Sequence, residues 1–327
     1  MPPEFPAVAS LGVPAPEALK AAAPKTAAPK APDQERCGFL VLDKPAGLTS
    51  HGCVAQVRRA YGLKRVGHGG TLDPSVTGVL PIAIGGATRL LPYLTGAKRY
   101  RGKVRLGLST GSDDLSGDVL EERLVPPLGI GALEAALAPF RGTIQQRPPN
   151  VSAVHVDGER AYQRARRGEA LNLASKTVTI SELHLLGWDP ERAELELEVA
   201  CTAGTYIRSL ARDLGEAIGC GGCLAELRRT EALGFDLGQS VPLDRLQQLP
   251  PPELLDPLVV LAHLERRQLE GEAELASWRC GRSLSTSLQL ADGTDVVVVG
   301  PDGTLAGMAQ AQAGGRLQPR LVLQANG

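Results

Sequence analysis

The sequence is poor in aromatic residues and contains no long apolar run. Phe, Trp and Tyr make up only 3% of the 327 residues, too few for a single-strand binder that stacks successive bases on rows of aromatic rings. Lys or Arg interrupts every apolar stretch before it reaches the length that spans a membrane. We therefore predict a globular protein without a membrane segment or a membrane partner.

The cysteines and glycines lack the patterns that bind metals or nucleotides. The six cysteines are spread along the chain, unlike those of a secreted disulfide scaffold, which favours a reducing cytoplasm. Cys220 and Cys223 form a C-x-x-C pair, but no second pair and no spaced histidine pair completes a zinc site. No Walker-type or G-x-G-x-x-G motif is present. We expect no metal site, no cofactor and a cytoplasmic location.

A basic segment surrounds one isolated carboxylate. Residues 36–110 contain 12 Lys/Arg and two Asp/Glu, a net charge of +10 in a chain whose total is −1. Asp73 lies in the glycine-rich, apolar-flanked stretch 67–80, which has no other acid. A basic segment around a single carboxylate predicts a surface that binds a polyanion, with a reactive group inside it.

Hydrophobic patterning predicts a mixture of strands and helices. Apolar or alternating runs predict strands over residues 38–42, 79–84, 102–108, 193–200, 295–299 and 321–323. Helices are predicted from a Thr49 or Ser50 cap to Gly62, along a stripe of Leu133, Ala136, Leu137 and Phe140, and from Gly204-Thr205 to Gly219.

Composition divides the chain into regions, and its length suggests more than one domain. Residues 1–35 are rich in Ala, Pro and Lys, and such a segment buries too little to fold, so we predict a disordered tail. An acidic cluster is predicted to form a loop, with Asp113, Asp114, Asp118, Glu121 and Glu122. A proline-rich break at 250–252 precedes about sixty residues of short strands and tight turns, which predict a small β-barrel module.

Asp73 and Arg208 each have an ordinary explanation. An isolated Asp-Pro pair usually marks a turn, and a helix arginine at this spacing is usually solvated. Arg208, however, stands at the start of a predicted helix rather than on its apolar stripe, and a nearby guanidinium favours the ionised form of a carboxylate. Arg208 is therefore the candidate partner of Asp73.

Several ordered blocks together resemble the TruB family of tRNA pseudouridine synthases. The matching blocks are residues 38–50, 67–68, 71–74, 77–81, 98–100, 148–149, 152–153, 162, 165–166, 168, 204–210, 213–215 and 227–229. The resemblance implies isomerisation of uridine to pseudouridine in the T loop of tRNA (the TΨC arm, position 55), by base flipping and an essential aspartate. Such an isomerisation needs no redox or metal chemistry.

The resemblance also assigns roles to seven residues of this chain. The catalytic positions fall on Asp73, Arg208 and Tyr100, and the substrate-binding positions fall on His68, Tyr206, Leu227 and Lys44. By this resemblance, Asp73 is expected to be the essential aspartate and Arg208 its ion-pair partner, while Tyr100 is expected to stack on the uracil. His68 is expected to fill the space left by the flipped base, and Tyr206 and Leu227 to line the uracil pocket.

The implied architecture is α+β, the pseudouridine synthase fold, with a mixed, mostly antiparallel sheet and a small C-terminal β-barrel-like module of PUA type. Residues 36–250 are expected to form the catalytic domain, with an RNA-gripping insertion at about 111–190, and residues 265–327 the PUA-like RNA-binding module. The expected partner is the T stem-loop of tRNA, bound by a monomer. Two alternatives stay open: a relative acting on guide-directed rRNA, and a catalytically silent protein that binds or folds tRNA.

Overall fold

The computed structural model describes residues 37–323, apart from residues 153, 157, 166, 168 and 170–172. The predicted tail, residues 1–35, lies outside the described residues. No helix in the described part is long and apolar enough to cross a membrane.

The described elements comprise nineteen strands and six α-helices. The strands are β1 (Cys37–Lys44), β2 (Val66–His68), β3 (Thr77–Gly85), β4 (Lys98–Leu106), β5 (Leu108–Thr110), β6 (Val119–Glu122), β7 (Gly142–Gln146), β8 (His155–Val156), β9 (Glu159–Arg160), β10 (Lys176–Asp189), β11 (Glu194–Cys201), β12 (Gly222–Ala232), β13 (Phe235–Asp236), β14 (Val241–Pro242), β15 (Glu265–Gln268), β16 (Leu284–Ser285), β17 (Asp295–Val299), β18 (Leu305–Gln312) and β19 (Arg316–Val322). The helices are α1 (Ser50–Tyr61), α2 (Ile130–Leu137), α3 (Ala161–Ala165), α4 (Ile207–Ile218), α5 (Pro257–Val260) and α6 (Glu272–Arg279).

One mixed sheet of ten strands forms the body of the protein. Its order is β14-β1-β3-β12-β4-β11-β10-β7, with β2 paired to β3 and β13 paired to β12. The β1–β14 and β3–β12 pairs are parallel and the other pairs are antiparallel, which confirms the predicted α+β class with a mostly antiparallel sheet. Because β3, β12 and β4 are neighbours, residues far apart in the sequence meet at the centre of this sheet.

Helices α1 and α4 are stabilised at their ends largely as the sequence predicts. The Thr49 hydroxyl accepts a hydrogen bond from the Gly52 amide (2.9 Å) and caps α1, which ends at the left-handed residue Gly62. Helix α4 ends at Gly219, also left-handed. It begins at Ile207, slightly later than predicted, and the predicted apolar stripe packs inward with Ile207, Leu210, Ala211 and Leu214 buried.

Three local predictions were wrong in detail. Strand β4 begins at Lys98, earlier than predicted, and this places Tyr100 inside the strand. Glu121 and Glu122 of the acidic cluster lie on β6 rather than in a loop; all four residues of β6 are exposed, so no apolar alternation marks the strand. Phe140 lies beyond α2 in a short 3₁₀ turn, because a proline at position 139 disfavours continuation of the α-helix.

A second sheet of five strands, in the order β15-β17-β18-β19-β16, forms the C-terminal part. Trp278 of α6 is fully buried beneath it and donates a hydrogen bond to the Ala306 carbonyl (2.9 Å). Phe39 of β1 and Met308 of β18 belong to one shared core, so this sheet packs on the main sheet. Sequence patterning missed β15, whose exposed, charged residues suit an edge strand. The RNA-binding role of residues 265–327 stays a prediction.

Candidate active site

The loop between β2 and β3 holds Asp73 near the centre of the main sheet. The amide of Leu72 donates to the Ser50 hydroxyl (2.9 Å), which donates in turn to the Leu72 carbonyl (3.1 Å). On the other side of Asp73, the Pro74 carbonyl accepts from the Lys44 ammonium (3.1 Å). The backbone is therefore held on both sides of Asp73, while 43% of the Asp73 side chain remains exposed.

Arg208 reaches Asp73 from the first turn of α4. Its Nη2 lies 3.0 Å from Oδ2 of Asp73, and only 7% of its side chain is exposed. The guanidinium also donates to the carbonyls of Ser112 (2.9 Å) and Val151 (3.0 Å). Because protein acceptors hold it from several directions, the guanidinium is fixed in place before any ligand arrives. Arg208 is therefore not a solvated helix arginine, and it lies where the sequence analysis expected a partner of Asp73.

Asp114 is a second carboxylate of the site that the sequence analysis did not single out. Its Oδ2 lies 3.7 Å from Nε of Arg208, and its Oδ1 accepts a hydrogen bond from the Ser112 hydroxyl (2.6 Å). The neighbouring Asp113 instead pairs with Arg212 (2.7 Å). Both acids belong to the acidic cluster, but the spacing of that cluster does not indicate which of its members turns inward.

Tyr100 and Arg229 lie side by side on β4 and β12. Burial raises the pKa of Tyr100, and the charge of the nearby Arg229 opposes that shift. Arg229 is fully buried and donates to the carbonyls of Val79 (2.8 Å) and Gly70 (3.1 Å). It therefore connects β12 both to β3 and to the loop that carries Asp73. The sequence motif contained Arg229 but gave no sign of this function.

Leu227 lines a cavity of about 440 Å³ next to the Asp73 loop. The cavity is also bounded by Ser75, Val76 and Thr77, which follow Asp73, and by Asp114 and Leu224. Leu227 is the only one of the seven predicted site residues that lines it within the described structure. Asp73 itself does not line the cavity, but Ser75, two residues further along the same loop, does.

Hydrogen bonds fix the backbone at Tyr206 and the backbone next to Lys44. Tyr206 immediately precedes α4; its amide donates to the Gln146 side chain (2.8 Å), and its carbonyl accepts from that side chain (3.1 Å). Lys44 is fully buried and donates to the carbonyls of Pro45 (2.9 Å) and Pro74 (3.1 Å). The predicted substrate contact of Lys44 gains no support from this position, which instead stabilises the Asp73 loop.

His68 ends β2, five residues before Asp73, and contacts a second histidine. Its ring meets that of His51 edge-to-face, with centroids 5.4 Å apart. Burial lowers the pKa of His68, and the charges of His51 and Arg229 lower it further. The imidazole is therefore neutral at physiological pH. Its Nδ1 is buried without a hydrogen-bond partner among the described residues.

Much of the positive charge predicted for residues 36–110 is neutralised by neighbouring strands. The ion pairs of β4 join Arg99 to Glu182, Arg101 to Glu196, Lys103 to Glu226 and Arg105 to Glu194. The basic residues around the end of α1 remain exposed instead, namely Arg58, Arg59, Lys64 and Arg65. A local charge excess in the sequence therefore does not translate directly into a surface potential.

Cys220 and Cys223 are both buried free thiols. Burial raises the pKa of Cys223 to about 11, which disfavours the thiolate that a metal or a redox reaction would use. Within the described residues, no group of three or more His, Cys, Asp or Glu side chains is placed to hold a metal ion.

Comparison with known proteins identifies the family. The model of the TruB family pseudouridylate synthase N-terminal domain matches residues 58–207, and that of the tRNA pseudouridylate synthase B C-terminal domain matches residues 208–259. A protein of Parasynechococcus marenigrum (strain WH8102), named tRNA pseudouridine synthase B, is 61% identical over 89% of this chain and 98% of its own length. The chain belongs to the TruB family of pseudouridylate synthases. The resemblance seen in the sequence motifs is thereby confirmed, and with it the expectation of an isomerase.

Other relatives agree with TruB membership. A tRNA pseudouridine synthase B of Synechococcus sp. (strain WH7803) is 55% identical over 89% of this chain and 98% of its own length. A solved structure described as an H/ACA RNP bound to a substrate RNA containing 2'-deoxyuridine superposes with a TM-score of 0.64 at 23% identity, covering 88% of this chain and 84% of that one. At that identity the likeness shows the fold alone, and it confirms the predicted pseudouridine synthase fold.

Proposed function

We propose that this protein isomerises the T-loop uridine of tRNA to pseudouridine. The observation that carries the proposal is the 3.0 Å ion pair between the half-exposed Asp73 and the buried Arg208, beside a cavity walled by Leu227. Relatives more than half identical to this chain are named tRNA pseudouridine synthase B. The reaction breaks the bond between C1′ of the ribose and N1 of the uracil, rotates the base and joins C1′ to C5. C5 then loses its proton and N1 gains one, so the composition of the nucleotide is unchanged. The reaction requires no second substrate.

The site suits that reaction because it offers one accessible carboxylate within fixed surroundings. A uridine in a folded loop must leave its stack before its base can enter such a site. Tyr100 and Leu227 then supply an aromatic and an aliphatic surface for the flipped uracil. Asp73 acts on the nucleotide. The buried Arg208 holds the carboxylate in one orientation. Asp114 balances part of the positive charge of Arg208.

The named relatives favour tRNA over guide-directed rRNA. The H/ACA structure is only 23% identical in sequence to this chain and shows the fold. Relatives at 55–61% identity are named tRNA pseudouridine synthase B. A catalytically silent RNA-binding protein would not need Asp73, Tyr100 and Arg208 together. We further propose that the insertion at about 111–190 grips the RNA, that the protein acts as a monomer, and that its free thiols reflect the reducing cytoplasm.

The decisive experiment uses the full-length protein, an unmodified tRNA transcript and no added cofactor. We expect pseudouridine mapping to find one modified position, in the T loop, with wild-type protein. The matched control is Asp73→Asn, which removes the ionised group but keeps the size of the side chain. We expect it to bind tRNA normally, because phosphate contacts carry most of the affinity, and to turn over at less than about a tenth of the wild-type rate.

Two outcomes would contradict this function. Modification that appears only in rRNA fragments with a guide RNA would favour the H/ACA-like alternative. Normal tRNA binding by wild-type protein without any pseudouridine would favour the silent RNA-binding alternative.

A further inference from the structure

Lys98 is the basic residue of β4 that no carboxylate balances within the described part of the chain. The next four basic residues of the strand are each paired with a glutamate, as described above. Lys98 is half-buried and lies two residues before Tyr100. Residues i and i+2 of a strand point to the same side, so Lys98 shares the face of Tyr100.

A second cation, Arg229, lies close to Lys98, since Nη1 of Arg229 and Nζ of Lys98 are both within 3.5 Å of the position that a Cβ of Gly70 would take. Burial lowers the pKa of Lys98, and the charge of Arg229 lowers it further. The fully buried Arg229 uses Nε and Nη2 for the hydrogen bonds to Val79 and Gly70, but its Nη1 has no hydrogen-bond partner among the described residues. Two cations without an acid are costly to bury. A site of this kind is stabilised when an anion enters it.

Gly70 leaves space beside both cations. A Cβ at this position would lie 3.4 Å from Nη1 of Arg229 and 3.5 Å from Nζ of Lys98. Its φ of +115° is also one that other residues rarely adopt. The chain thus approaches the two cations closely with no side chain between them. Gly70 lies three residues before Asp73 in the same loop, so the two cations lie against the loop that carries the reactive carboxylate.

We propose that Lys98, reinforced by the charge of Arg229, binds a backbone phosphate next to the flipped uridine. The inference rests on the proposed function, because it assigns a second contact to the nucleotide that reaches Asp73. A phosphodiester is the anion that such a nucleotide always carries on both sides of its ribose. Lysine binds phosphate as a compact point charge. The contact positions the nucleotide and takes no part in bond breaking.

The protein side of the test compares Lys98→Met with Arg105→Met. Both substitutions remove one positive charge from β4, but Arg105 is already paired with Glu194 at 2.7 Å and does not line the cavity beside Leu227. We expect Lys98→Met to lower kcat/KM on a T-arm RNA about tenfold and to reduce the log–log salt slope of binding by about one. Arg105→Met should change kcat/KM less than about twofold. Lys98→Arg, which keeps the charge, should recover most of the loss.

The RNA side of the test identifies the phosphate. Single methylphosphonate substitutions, which remove one backbone charge each, are introduced on either side of the target uridine. With wild-type protein we expect one of them to lower kcat/KM about tenfold. With Lys98→Met, the same methylphosphonate RNA should lower kcat/KM hardly any further. The substitution has already removed the contact, so the effects of the protein and RNA changes are not additive.

The outcomes separate this site from the proposed function. If wild-type protein forms no pseudouridine, the proposed function fails. If wild-type protein is active but Lys98→Met behaves like Arg105→Met, the phosphate site is wrong. It is also wrong if the loss of kcat/KM in Lys98→Met multiplies with the loss caused by every methylphosphonate. Circular dichroism melts of each variant distinguish a lost contact from a lost fold, and Lys98→Arg provides a folded variant that retains the charge.

Discussion

The two members of the central ion pair differ sharply in exposure, and this gives them different tasks. Asp73 is 43% exposed while Arg208 is 7% exposed. An accessible carboxylate can meet a ligand, whereas a buried guanidinium tied to Ser112 and Val151 can only orient its neighbours. We therefore expect changes at Arg208 to affect the geometry of the whole site, and changes at Asp73 to affect the chemistry alone.

His68 provides a residue-scale prediction about base flipping. Its ring packs edge-to-face on that of His51, and burial lowers its pKa and so favours its neutral form, so it can fill a vacancy in the RNA without adding charge. We expect His68→Ala to slow the reaction on folded tRNA by about ten- to a hundredfold, or roughly 1.4–2.8 kcal/mol. The measurement is the single-turnover rate on intact tRNA and on a mismatched or abasic-flanked T-loop analogue, in which the uridine is already unstacked.

The analogue should restore part of the rate of His68→Ala and none of the rate of Asp73→Asn. Equal impairment of His68→Ala on both RNAs would mean that His68 acts in chemistry or in folding rather than as a wedge.

At the level of single residues, sequence reasoning found the groups that stand in recognisable motifs. Asp73 and Arg208 were predicted as partners from the family blocks and from the position of Arg208 at a helix start. Asp114 and Arg229 were missed. Their partners lie far away in the sequence, and only the pairing of strands and the fold of the acidic loop bring them close.

At the level of elements, strand order assembles the site. Strand β12 lies between β3 and β4, so Arg229 reaches both the Asp73 loop and Tyr100, and Leu227 lines the cavity beside that loop. The strict alternation of residues 193–200 correctly predicted a strand with one polar face. That this face carries glutamates opposite Arg101 and Arg105 of β4 depends on strand register, which a local pattern does not contain.

The parallel contact between β3 and β12 makes an element-scale prediction at Gly78. A Cβ there would lie 2.1 Å from the Arg229 carbonyl oxygen, and the φ of Gly78 is +102°. We expect Gly78→Ala to lower the free energy of unfolding by about 3 kcal/mol or more, because backbone strain and a backbone clash act together. Denaturant unfolding measures the change.

The matched control is Gly62→Ala at the end of α1. Gly62 also has a positive φ, of +68°, but a Cβ there meets nothing within 4 Å. Only the conformational cost remains, about 1 kcal/mol. Similar losses at both positions would show that β3 and β12 can separate without a penalty, contrary to the close approach in the structure.

At the scale of the whole molecule, the small net charge hides an uneven distribution. The chain totals −1 although residues 36–110 carry +10. The glutamates beside β4 neutralise one part of this excess, while the residues around the end of α1 remain exposed. Composition could predict that a polyanion binds, but the location of the binding surface depends on which cations the fold leaves without acids.

We therefore predict that tRNA binds at the exposed basic group around the end of α1, which consists of Arg58, Arg59, Lys64 and Arg65. Charge reversal at Arg59 and Lys64 should weaken tRNA binding and reduce the log–log salt slope by at least about two, since each lost phosphate contact contributes about one. The rate at saturating tRNA should stay unchanged, because neither residue contacts Asp73. Arg192→Glu is the matched control, since Arg192 is 71% exposed in the turn between β10 and β11. We expect Arg192→Glu to keep the wild-type salt slope. If the Arg59 and Lys64 double variant also keeps that slope between 50 and 200 mM salt, the charge at the end of α1 does not face the RNA.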